Sequence, residues 1–151
     1  MARKTLYYAL FQSHINYGLL LWGGASKKYI NRIWILQKKA IRILALETYN
    51  AHTNPLFHKF RILKLWDIYN LQLAQFMFKM YTKELPKPLL ERFVINSEIH
   101  GHYTRNRTNP RIPLVRTSIA SKAIYYYPSC LWCNIDNEIK KYQTTLCSLI
   151  K

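Results

Sequence analysis

The segment from Ser26 to Leu46 constrains the fold more than any other part of this sequence. Its apolar residues recur at alternating steps of four and three, which is the spacing of one face of an α-helix. The pattern predicts a helix that begins after Ser26, a residue type favoured at helix N-caps, and ends near Leu46. We expect one seam of this helix to face the core: Tyr29, Ile33, Leu36, Ala40 and Ile43.

The opposite side of the same helix is basic. At roughly 100° per residue, four cations fall within an arc of roughly 80°; this basic stripe comprises Lys28, Arg32, Lys39 and Arg42. None of them has a carboxylate partner four residues away, so they repel one another. An ordinary solvated helix face is one explanation of the stripe. The absence of acid around it favours the other, contact with the phosphates of a nucleic acid.

Carboxylates are missing from two long blocks of the chain. Residues 1–46 contain eight Lys and Arg and residues 99–135 contain five, and neither block has an Asp or Glu. Together they account for most of the net charge of +16, and the chain also carries 12 Tyr and 4 Trp. Positive charge interleaved with flat aromatic rings is typical of proteins that bind RNA or DNA backbone. The second block adds five candidate nucleic-acid-binding residues: Tyr103, Arg105, Arg107, Arg111 and Arg116.

The remaining patterns predict further helices on either side of an irregular region. We expect helices over residues 4–22, 54–60, 65–81 and 136–150, with the first packed on several sides. Pro and Gly interrupt residues 94–130 and helical periodicity disappears there. The sequence therefore predicts a mainly α fold, a small helical domain of about four to five helices with a basic extended arm between the last two. Within this one domain, residues 1–93 form the helical core module, 94–135 the arm and 136–151 the C-terminal helix.

Nothing in the sequence predicts an active site. Paired carboxylates, a phosphate-cradling glycine-rich loop and a nucleophile elbow are all missing, so we predict no enzyme activity, cofactor or small-molecule substrate. Cys130 and Cys133 have the spacing of a zinc or redox pair, and Cys147, His100 and His102 are further potential ligands. A structural zinc site needs four ligands, which this spacing does not supply, so free thiols are the favoured interpretation and no metal site is predicted.

The sequence also bears on where the chain works. Residues 5–26 carry no formal charge and are long enough to span a bilayer, but Gln12, Ser13, His14 and Asn16 fall in their middle. We therefore expect no membrane association and no secretion signal. Only three cysteines are present, which fits a reducing compartment, nuclear or cytoplasmic.

Several segments follow one another in a recognisable order. Residues 6–18, followed by Trp22-Gly23, have the pattern L-Y-x-A-L-x-x-S-x-x-x-Y-G…W-G, and residues 35–43 look like L-Q-x-K-A-[IL]-R-x-I. Residues 49–57 match Y-x-x-H-[TS]-x-P-L-F, and residues 62–69 continue the series. His100, Thr104 and Arg105 fit H-x-Y-x-T-R, with His102 where Tyr is usual. This series resembles the far C-terminal region of the reverse transcriptase of LINE-like, jockey-type non-LTR retrotransposons.

The resemblance implies a segment that follows the polymerase domain and holds RNA template or DNA target during target-primed reverse transcription. The adjacent aspartates that hold the polymerase metals are absent from all 151 residues, so it implies a non-catalytic part of an RNA-directed DNA polymerase. The family's G-P-x-x-W-N-x-[LI]-P stretch survives only loosely, with Tyr127 in place of its Gly. Two alternatives remain: an interaction module that packs on the upstream polymerase domain, and a degenerate transposon remnant without function.

Overall fold

The computed structural model describes residues 2–99, 101–135 and 140, of which 62% are helical and none lies in a strand. The predicted mainly α fold class is confirmed. The helices in chain order are α1 (Ala2–Leu6), a π-helical segment (Tyr7–Gln12), α2 (Ser13–Asn16), α3 (Leu19–Trp22), α4 (Lys27–Ala45), α5 (Thr53–Phe60), α6 (Leu65–Tyr81), α7 (Lys87–Leu90), α8 (Asn96–Ile99), a 3₁₀ turn (Ala120–Lys122) and α9 (Tyr127–Asn134). The predicted C-terminal helix over residues 136–151 falls outside the described residues, Lys140 excepted.

The chain forms two compact units, Met1–Gln72 and Leu73–Lys151, which divide within α6. In the first unit the predicted helix over residues 4–22 is interrupted. Tyr17 is extended (ψ 113°) and Gly18 is left-handed (φ 62°), so α2 ends there and α3 begins a new turn. The Trp22 indole N–H donates a hydrogen bond of 2.8 Å to the Tyr17 carbonyl and closes this turn. A left-handed residue breaks helical hydrogen bonding, and glycine adopts that conformation without steric cost.

The predicted core-facing seam of α4 is wrong. Tyr29, Leu36 and Ile43 are exposed, while Ile33 and Ala40 are half-buried. The residues of α4 that are buried are Ile30, Gln37, Ile41 and Leu44. The buried face is rotated by about one residue, or roughly 100°, because a polar residue, Gln37, occupies its centre. A pattern of apolar spacing alone therefore selects the wrong face of this helix.

The core of the first unit is an apolar cluster drawn from the N-terminal helices, α4, α5 and the α5–α6 connection. Its buried members are Tyr7, Ile41, Leu44, Leu56, Phe57 and Ile62. Trp34 stacks on Phe57 with ring centroids 5.4 Å apart and an interplanar angle of 19°. Arg3 donates to the Leu44 carbonyl at 3.1 Å, which ties the start of α1 to the end of α4.

Gln37 joins three segments of this unit through its side-chain amide, which is 0% exposed. Its Nε2 donates to the Tyr7 hydroxyl and to the Leu63 carbonyl, both at 3.0 Å. Its Oε1 accepts from the Leu65 backbone N–H at 2.9 Å, where α6 begins. Buried polar groups are costly unless they are hydrogen-bonded, and here both amide ends are used. Gln37 thus fixes the rotation of α4 about its own axis.

Alkaline pH is expected to weaken this arrangement. Burial raises the pKa of the Tyr7 hydroxyl above its usual 10.0, the hydrogen bond from Gln37 opposes the shift, and Tyr8 adds to it. A raised pKa means that the native state holds the proton more tightly, so this stabilisation is present below about pH 10 and is lost as pH rises further. Urea unfolding followed by circular dichroism at about pH 8 and about pH 11 should show a smaller loss for Tyr7→Phe than for the wild type.

Tyr17→Phe is the matched control for that comparison, because Tyr17 is exposed. It should lose as much stability as the wild type between the two pH values. Equal losses for Tyr7→Phe and the wild type would contradict a contribution from Tyr7.

The second unit is held by aromatic contacts of the C-terminal half of α6. Phe76 packs edge-on against Phe93 at 5.9 Å, and Tyr81 stacks on Trp132 at 5.2 Å with an interplanar angle of 24°. The Tyr81 hydroxyl donates to the Thr108 carbonyl at 2.9 Å. Burial, with a further contribution from Cys133, raises the pKa of Tyr81 above its usual range although Trp132 opposes it. These contacts attach both the 94–111 region and α9 to α6.

The region predicted as an extended arm, residues 94–135, is only partly irregular. Residues 94–111 close on themselves as an irregular hairpin around an isolated antiparallel bridge between Ile95 and Pro110. The helices α8 and α9 within this region were not predicted. Pro128 stands in the first turn of α9, where a missing N–H costs no intrahelical hydrogen bond. Pro128, one of the prolines on which the prediction of irregular chain was based, therefore lies at the start of a helix.

Candidate nucleic-acid interface

Three members of the basic stripe project into solvent from α4. Lys28, Arg32 and Lys39 are exposed, on the side of the helix opposite the buried Gln37 and Ile41. At 1.5 Å per residue, Lys28 and Lys39 lie about 16 Å apart along the helix axis. No Asp or Glu occurs in α4, so no carboxylate of this helix neutralises them. The structure therefore presents a line of positive charge on a rigid element.

Arg42, the fourth member of the stripe, is engaged within the protein. Its side chain is half-buried, and Nε donates to the Ala51 carbonyl at 2.9 Å. The guanidinium carbon lies 5.9 Å from the centre of the Tyr49 ring. These contacts hold the segment after α4 against the helix. Arg42 acts first as a structural residue, and the stripe available to a ligand is shorter than predicted.

The hairpin over residues 94–111 presents the second group of candidates. Tyr103 is 91% exposed, and Arg105 and Arg111 are exposed as well. Arg116, the remaining candidate, lies five residues beyond the hairpin and is also exposed. Arg107 is half-buried, with its guanidinium carbon 5.5 Å from the centre of the Tyr103 ring. The two side chains form a cation–π pair that leaves most of the tyrosine accessible. A base could stack on Tyr103 while the neighbouring arginines contact phosphate.

Backbone hydrogen bonds hold the hairpin in place. Ser97 N–H donates to the Arg107 carbonyl at 3.0 Å, and Arg111 N–H donates to the Val94 carbonyl at 2.8 Å. The Asn96 side chain also donates to the Asn106 carbonyl at 2.9 Å. These bonds close the loop that contains Tyr103 and Arg105. The stripe and the hairpin belong to different compact units and are two separate surfaces.

A cleft of about 330 Å³ opens where α5 connects to α6. Phe57 and Ile62 line it, and His58, Arg61, Lys64 and Asp67 contribute charged or polar groups. The sequence did not predict this cleft, because residues brought together by a left-handed Arg61 (φ 51°) have no recognisable spacing. The lining also includes the carboxylate of Asp67, so the cleft is not uniformly positive as the basic stripe of α4 is.

The cysteines form no metal site within residues 2–99, 101–135 and 140. No group of three or more His, Cys, Asp or Glu residues in that part of the chain is placed to hold a metal ion. Cys130 and Cys133 are free and half-buried, whereas Cys147 and His100 fall outside the described residues. Burial raises the pKa of the Cys133 thiol, which Lys140 opposes and Cys130 reinforces. A raised pKa lowers the thiolate fraction and with it the reactivity of Cys133.

Comparison with known proteins identifies no relative. No protein-family model, no curated protein and no solved structure matches the chain. Among the helices that the structure describes, none combines the length and the apolar character needed to cross a bilayer.

Proposed function

We propose that this chain is a non-catalytic, nucleic-acid-binding segment of a non-LTR retrotransposon reverse transcriptase. Its role is to hold the backbone of RNA or DNA in support of target-primed reverse transcription. The resemblance of its motifs to that family supports membership of a reverse transcriptase. The exposed Lys and Arg side chains support binding to nucleic acid. The chain alone has no polymerase activity on this proposal, because it lacks the paired carboxylates that hold the catalytic metal ions.

One observation carries the binding proposal: three exposed cations in line on a helix that contains no acid. A stripe about 16 Å long faces several phosphates, since a single strand in a duplex carries one charge per roughly 3.4 Å of axis. Binding to phosphates releases counterions, which compensates for bringing the cations together. Arg32 and Lys39 are the residues on which binding should depend most.

The hairpin adds a stacking contact. Tyr103 offers an accessible ring beside Arg105 and Arg107, a combination that suits unpaired bases. Phosphate contact and stacking both tolerate any sequence, so we expect little sequence preference. A second candidate function, an interaction module, is favoured by a different feature of α4, its exposed apolar residues Tyr29, Leu36 and Ile43.

Charge reversal tests the binding proposal. Arg32→Glu with Lys39→Glu should weaken binding of a labelled single-stranded RNA at least about tenfold in fluorescence anisotropy, since two phosphate contacts become repulsive. Both residues are exposed and neither takes part in the Gln37 hydrogen bonds, so the fold should persist.

The matched control is Lys59→Glu with Lys79→Glu, which changes the net charge equally at exposed positions outside the stripe. It should weaken binding much less. Equal losses for the two double variants would show that only total charge matters, and the stripe would then have no specific role.

A further inference from the structure

Three large apolar side chains lie in line on the exposed side of α4. Tyr29 is 60% exposed, Leu36 53% and Ile43 73%. They recur every seven residues, so they fall on one line about 21 Å long. We call them the apolar row. Single exposed apolar residues are common, but a row with heptad spacing is typical of a helix that packs against another helix.

The helix cannot rotate to bury this row within its own unit. Gln37 lies about 100° around the helix from Leu36, on the buried face, where its amide hydrogen-bonds to the Tyr7 hydroxyl, the Leu63 carbonyl and the Leu65 N–H. Turning Leu36 inward would remove Gln37 from all three partners. The exposure of the row is therefore a fixed property of the folded unit.

The charge beside the row indicates what covers it. The basic stripe borders it along its length, with Arg32 and Lys39 exposed. A second copy of this chain is a poor occupant, because each copy carries a net charge of +16 and no acid in α4 to offset it. An amphipathic helix with acidic residues along its apolar seam complements both the row and the stripe.

We propose that the apolar row of α4 is a docking site for an acidic amphipathic α-helix of another polypeptide segment. The partner's apolar residues pack on Tyr29, Leu36 and Ile43, and its flanking carboxylates meet Arg32 and Lys39. Because those cations are also proposed to bind phosphate, the docked helix and a nucleic acid compete for this side of α4. The apolar contact itself does not rest on the proposed function.

A designed peptide tests the docking site. We would titrate the full chain into a labelled peptide of about three heptads, with Leu at both seam positions and Glu at the flanking positions. The matched control peptide has Lys in place of every Glu. Saturable binding is expected for the Glu peptide, at least about tenfold tighter than for the Lys peptide, because only the former complements the stripe.

Variants of the chain complete the test. Leu36→Ser with Ile43→Ser should weaken binding of the Glu peptide at least about tenfold, while circular dichroism stays unchanged because both residues are exposed. Leu21→Ser with Leu46→Ser removes two apolar residues outside the row that are at least as exposed, at 82% and 76%, and should leave binding intact. The docking proposal fails if the row variant binds the Glu peptide as well as the wild type does.

Two further outcomes would overturn it. The wild-type chain could sediment as a dimer that the row variant dissociates, in which case a second copy covers the row. Alternatively, RNA binding could fall in the row variant while peptide binding does not, in which case nucleic acid covers it. Loss of peptide binding with RNA binding retained would support the docking site and leave the proposed function standing.

Discussion

Gln37→Leu is expected to lower the free energy of unfolding by about 4 kcal/mol. Leucine has a similar size but cannot replace the amide, so the Tyr7 hydroxyl and the Leu65 N–H lose their hydrogen bonds to Gln37. Each buried polar group left unsatisfied costs about 2 kcal/mol, and the Leu63 carbonyl also loses a donor. Urea unfolding followed by circular dichroism measures the difference.

The neighbouring position supplies the control. Leu36→Gln makes the reverse exchange one residue earlier, at a side chain that is exposed. Its effect should stay within about 0.5 kcal/mol, as for most surface substitutions. If the two substitutions had similar effects, the orientation of α4 described above would be wrong.

Gly23→Ala is expected to lower the free energy of unfolding by about 3 kcal/mol. A Cβ at this position would lie 2.3 Å from Cδ2 of Tyr69 and 2.6 Å from the Leu19 carbonyl oxygen. The carbonyl belongs to the backbone of α3 and cannot move aside, and the Tyr69 ring is buried. The backbone of Gly23 is ordinary (φ −62°), so the whole effect is steric. Thermal unfolding should show a clearly lowered Tm.

Gly101→Ala is the control for Gly23→Ala, because no heavy atom lies within 4 Å of its added Cβ. Its Tm should match that of the wild type. A Gly23→Ala variant as stable as the wild type would contradict the close approach of Tyr69 to this turn.

The two glycines near α3 show what the sequence could and could not predict. The predicted helix over residues 4–22 stops just before Gly23 and Gly24, and α3 does end at Trp22. The left-handed residue is nevertheless Gly18, five positions earlier, and Gly23 is needed for its lack of a side chain. Sequence spacing locates the end of a helix. The reason for a glycine at that point depends on a contact with a residue distant in sequence, here Tyr69.

The helix α6 was predicted with its observed bounds, 65–81, whereas α4 was predicted with the wrong face inward. The helix α4 has two apolar faces, and either could pack against the core. The hydrogen bonds of Gln37 determine which face is buried, and their partners lie 26 to 30 residues away in the sequence. Tertiary hydrogen bonds of this kind leave no periodic signal. Lys28, Arg32 and Lys39 share an exposed side of α4, which follows directly from their spacing on a helix, and their contact with phosphate stays a prediction. The contact between Arg42 and the Ala51 carbonyl leaves no signal in that spacing.

The proposed contact between the exposed cations and nucleic-acid phosphates is measurable by fluorescence anisotropy. The wild-type chain would be titrated into labelled single-stranded RNA at stepwise increasing salt. The affinity should fall linearly on a log–log plot, with a slope that becomes shallower by roughly 1.4 in the Arg32→Glu, Lys39→Glu variant, about 0.7 for each lost contact. No binding at low salt by a chain that circular dichroism shows to be helical would contradict the proposed binding of phosphates.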